Sequence, residues 1–146
     1  MPFIFSLESL LRFRISQERA ERLKLEAIVA EQSRIRAWIE DLAGAAIEAQ
    51  AAFQQRLASG VTGADLQLEL SRLANFDLAR NQLRTRLAEA EQQRVTQAEA
   101  FVRARRNREI LEELRRRKLR EYRLHEARRE QQDLDDLFLM RREEPA

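Results

Sequence analysis

Proline is absent from Phe3 to Glu144, and two of the three glycines, Gly60 and Gly63, lie within four residues of each other. A chain so poor in turn-forming residues cannot supply the many tight connections of a sandwich, a barrel or an α/β fold. Only long helices remain, broken once at Ser59-Gly60-Val61-Thr62-Gly63. The 146 residues are 36% charged, with a mean hydropathy of -0.60, and are rich in Ala, Leu, Glu, Gln and Arg, as exposed coiled-coil helices are. The 44% hydrophobic content is too high and too regularly spaced for disorder.

The spacing predicts a single all-α domain over 1–146, a long antiparallel two-helix coiled coil. One helix covers about 6–58, a turn covers 59–63, and a second helix covers about 63–140. Thr62 and Asp65 stand as the two ends of a capping box that starts the second helix. In the first helix Leu25, Ile28, Gln32, Ile35, Ile39, Leu42, Ala46, Ala49 and Phe53 alternate in steps of three and four, a heptad seam. Carried backwards, that register meets Glu21, Glu18 and Arg14 before Leu11 and Leu7, so the seam weakens and recovers.

The second helix offers Leu66, Leu70, Leu73, Phe76, Leu83, Leu87 and Ala90, loses phase near Glu91 to Arg94, and resumes at Val95, Ala98, Phe101 and Val102. Folding back at the glycines makes facing residue numbers total about 123, because both helices rise equally per residue. Beyond Arg117 the second helix is then left as an unpaired overhang of roughly 25 residues, about 35 Å long. It would expose Leu119, Tyr122, Leu134, Leu137 and Phe138, with Phe3, Phe5 and Phe13 near by.

Charge narrows the function classes. Residues 101–129 carry 12 basic and 5 acidic groups and residues 130–146 carry 2 and 6, within a net charge of +2. The run Arg115-Arg-Arg-Lys118 suits phosphate neutralisation, a solvated helix face, or an acidic or amphipathic protein partner. The absence of cysteine removes disulfides and thiol chemistry, and one histidine, His125, is a poor basis for a metal site. A two-helix seam forms no enclosing pocket, so no catalytic residue, cofactor or metal is expected. No apolar run reaches membrane-span length and the start lacks the form of a signal peptide, so an intracellular, soluble protein is expected.

The two ends carry a resemblance. Phe3-x-Phe5-x-Leu7-x-x-Leu10-Leu11-x-x-Arg14-x-x-x-Glu18 resembles the opening of the flagellar export protein FliJ family. Leu111-Glu112-x-Leu114, Tyr122, Glu126-x-x-Arg129-Glu130-Gln131-x-x-Leu134-Asp135-Asp136 and Arg141-Arg142 resemble its close. The resemblance implies a cytoplasmic, non-enzymatic component of bacterial flagellar type III protein export, peripheral at the inner face of the inner membrane and needed for flagellum assembly, and through it for motility and chemotaxis. It implies a monomeric stalk that enters the hexameric export ATPase, contacts the cytoplasmic domain of the export gate and escorts export chaperones, without nucleic acid. The residues it assigns to the ATPase are Phe5, Leu7, Leu11, Arg14, Tyr122, Arg129, Glu130, Gln131 and Leu134, and Trp38 and Phe76 are candidates for the gate. The equivalent stalk of a virulence secretion system and a basic coiled-coil nucleic-acid binder are the alternatives.

Overall fold

At the glycine break the backbone turns at Gly60, whose φ of 92° is a left-handed conformation that favours a residue without Cβ. The Ser59 and Gly60 amides donate to the carbonyls of Arg56 and Leu57, closing helix α1 (Glu8–Ala58). Helix α2 (Gly63–Glu143) opens on a reciprocal cap: Thr62 N–H donates to the Asp65 carboxylate and Asp65 N–H donates to Thr62 Oγ1, both at 3.2 Å. That cap holds the Asp65 carboxyl below its ordinary range, chiefly through the Thr62 amide. The computed structural model describes residues 2–143, and the two long helices pack against each other as an all-α helical hairpin. It divides into two units, one of residues 21–101 and one combining the ends.

In the unit of residues 21–101, α1 presents the seam expected of it. Gln32 and Ile35 are buried, and Leu25, Ile28, Ile39, Leu42, Ala46, Ala49 and Phe53 are half-buried. Register is fixed by polar pairs: Gln32 Nε2 donates to Glu91 at 2.5 Å, and Gln97 Nε2 donates to the Glu21 carbonyl at 3.1 Å and to its carboxylate. Gln32 and Glu91 lie on the expected register of about 123. Arg86 reaches Glu31 at 3.3 Å, its long side chain spanning an offset of more than one helical turn from that register.

The α2 stripe corrects the sequence reading. Glu69, not Leu70, faces α1: the carboxylate residue is 5% exposed and the leucine 59%. Nor is phase lost near residue 91. Half-buried and buried positions run through Phe76, Arg80, Leu83, Leu87, Ala90, Arg94 and Gln97 to Phe101 in unbroken steps of three and four, while Val95 stays exposed. Backbone geometry sets which positions face inward, and several are polar here. Their pairing is uneven: Arg94 bonds Glu91 at 2.5 and 3.1 Å, and with Gln32 it holds that carboxyl down at about 2, whereas among the described residues Glu69 Oε1 and Arg80 Nε are buried without a hydrogen-bond partner, Glu69 lying 3.7 Å from Arg72.

The unit of residues 2–20 and 102–143 has its own small core of Phe5, Leu11 and Leu111, with Phe3 and Leu114 packed on it. Seam positions continue as Ala104, Arg108 and Leu111, and Val102 is exposed. The polar stretch expected as a gap is bridged by charge. Arg108 pairs with Glu18 across the helices, with Glu112 at 2.6 Å and with Glu109 at 3.8 Å, and its guanidinium is held more firmly protonated, first by Glu18. Arg115 reaches Glu8 at 3.1 Å.

Candidate partner-binding surface

Residues 2–7 precede α1 as a non-helical segment, anchored where Glu8 N–H donates to the Phe5 carbonyl at 3.1 Å. This segment lies along α2 and changes where the overhang begins. The Phe3 ring meets Tyr122 with centroids 5.5 Å apart, tilted by 48°, and the Arg115 guanidinium sits 5.8 Å from the centre of the same Phe3 ring. Tyr122 and Leu119 are therefore half-buried rather than bare, and the exposed end of α2 starts after Glu126. A shallow groove remains between Phe3, Ile4, Leu7, Leu114, Lys118 and Tyr122.

The nine residues assigned to the ATPase by resemblance all belong to this unit, in different settings. Phe5 and Leu11 are buried in its core, and Tyr122 packs on Phe3. Leu7 lies at the margin of exposure. Arg14 donates to Gln17 at 3.0 Å and lies 5.8 Å from the centre of the exposed Phe13 ring. Farther out, Arg129 pairs with Glu126 at 3.2 Å, Gln131 donates to Asp135 at 3.1 Å, and Glu130 and Leu134 are exposed. Leu134 is 61% and Phe138 65% exposed, beside Leu137, Leu139 and Met140. Leu137 to Met140 were not among the assigned residues; five apolar side chains in seven positions of a polar tail were the signal for them.

The basic run is less bare than its sequence suggests. Arg115 is tied to Glu8, Arg116 lies 3.7 Å from Glu113, Lys118 3.6 Å from Glu121, and Arg120 3.6 Å from Glu113. In the other unit Trp38 is half-exposed under the Arg86 guanidinium, 5.4 Å from its ring centre, at a groove with Leu42, Ala79 and Leu83, and Phe76 is half-buried. His125 is exposed, and among the described residues no three His, Cys, Asp or Glu gather as metal ligands would. No described helix is long and apolar enough to cross a membrane.

Comparison with known families gives one result: the family model described as flagellar FliJ protein matches residues 3–144. Neither the curated proteins nor the solved structures contain a match to the chain.

Proposed function

We propose that this chain, which belongs to the flagellar FliJ family, works in flagellar protein export as a non-catalytic stalk whose free α2 end docks in the export ATPase. Membership of the family makes it an export-related protein; the ring, the export gate and the chaperones as partners are our reading. That role would place it in the cytoplasm, at the inner face of the membrane through its partners. One observation supports it above others: the cluster Leu134 to Met140 is apolar and exposed at the end of α2, past the point where Phe3 covers the helix. Exposed apolar clusters of this kind anchor interfaces, and the flanking Arg141 and Arg142 would set orientation and on-rate.

Tyr122 is a poor probe of this site because it also holds Phe3. Leu134→Ala with Leu137→Ala removes two exposed side chains and should leave helicity intact. The pair should weaken pull-down of the export ATPase by about 2 kcal/mol, roughly thirtyfold, and lower its stimulation in parallel. Unchanged binding and stimulation would rule the site out. The groove at Trp38 and Phe76 remains our candidate for the gate.

A further inference from the structure

Helix α2 changes its apolar face where the N-terminal segment ends. Up to Glu126 the half-buried positions are Leu119, Tyr122 and Glu126, and the same spacing would continue through Arg129, Asp133 and Asp136, all charged. The apolar residues of the tail follow another phase: Leu124, Ala127, Gln131, Leu134 and Phe138 advance in steps of three, four, three and four. This second stripe lies one to two residues ahead of the first, about 150° around the helix. It points away from the side on which Phe3 covers Tyr122, and the N-terminal segment cannot cover it while that contact is kept. Leu124, Leu134 and Phe138 are all more than half exposed.

The charges beside the stripe select an occupant. We infer that a second copy of this chain pairs with it, tail against tail and antiparallel. With Leu134 opposite Gln131 and Phe138 opposite Ala127 of the second copy, facing numbers total about 265. Arg128 then meets Asp135 and Glu121 meets Arg142, each pair occurring twice by the two-fold symmetry. The parallel alternative sets Arg128 against Arg123 and Asp135 against Glu130, like charge on like charge. Asp135 accepts a 3.1 Å bond from the neutral Gln131 of its own helix, and a guanidinium of a second copy would be a stronger partner.

The stripe is short for a coiled coil, so the dimer is weak and reversible, a departure from the monomer expected by resemblance. Leu134 and Phe138 lie in the cluster given above to the ATPase, so self-pairing and ring docking would exclude each other. That consequence rests on the export reading, whereas the pairing does not.

Sedimentation equilibrium of the full chain over a roughly hundredfold concentration range tests it. The wild type should show a concentration-dependent dimer, and Phe138→Ala should disperse it. Arg128→Asp or Asp135→Arg alone turns two attractions into repulsions and should weaken the dimer about tenfold. The double variant should restore it, and helicity by circular dichroism should stay constant throughout. A mass that remains monomeric at every concentration overturns the inference and leaves the stripe to a different protein. Tightening by Arg128→Asp, the parallel result, also overturns it, as does a double variant no better than the singles.

Discussion

Ile35 is the most completely buried large side chain described, at 2% exposure, and replacing it with alanine asks how much one seam layer contributes. The substitution removes three carbons from an apolar environment, about 2.4 kcal/mol at 0.8 kcal/mol per carbon. A seam one side chain thick can partly close over the gap, so the cavity contribution is small, and the better helix propensity of alanine returns a few tenths. The expected loss is about 2 to 3 kcal/mol. In a domain of this size that lowers the melting temperature by roughly 5–10 °C. Leu70→Ala is the control, because that side chain is 59% exposed and its loss should cost less than about 1 kcal/mol despite equal carbon count. Urea unfolding followed by circular dichroism gives both numbers, provided the slope stays constant between variants. Equal losses for the two, or a loss below about 1 kcal/mol for Ile35→Ala, would show that α2 does not meet α1 as described.

Two further outcomes follow from the polar contacts. The Glu91 carboxyl is held at about 2 by Arg94 and Gln32, well below the ordinary glutamate range, so its stabilising effect is complete above that ordinary range and disappears as pH falls from there through about 2. Glu91→Gln should therefore flatten the pH dependence of stability in that window, and an unchanged acid transition would remove Glu91 as its source. Phe3→Ala should uncover Tyr122, making its ring more reactive to nitration and raising amide exchange at Arg115 to Tyr122 about two- to tenfold; unaltered exchange would mean that the ring contact holds nothing in place.

The hairpin was legible because its signals are local: two glycines, a capping pair and an α1 seam of mostly aliphatic residues. The α2 seam was legible only in part. Following hydrophobicity favoured Leu70, Val95 and Val102, whereas the helical repeat places Glu69, Arg94, Gln97 and Arg108 inward. Arg94, Gln97 and Arg108 can occupy a thin seam because their polar ends reach partners at its edge, as Arg108 does with Glu18 and Glu112; Glu69 is the exception, with a buried oxygen that has no hydrogen-bond partner. The candidate surface was readable as composition, five apolar residues in a polar tail. The loss of Tyr122 from its free part was not, since Phe3 reaches it from a segment without helical periodicity.

That segment bears on how the protein is made. Phe3 and Phe5 are synthesised more than a hundred residues before Leu111 and Tyr122, so the whole of that intervening stretch must exist before either aromatic ring can be covered. Closing so long a loop adds entropic cost only slowly with length, but it cannot begin early. Until Leu111 and Tyr122 have been made, this segment is thus an uncovered apolar stretch. A stop before Leu111 would leave it so permanently, which makes truncated chains the ones most exposed to aggregation and proteolysis.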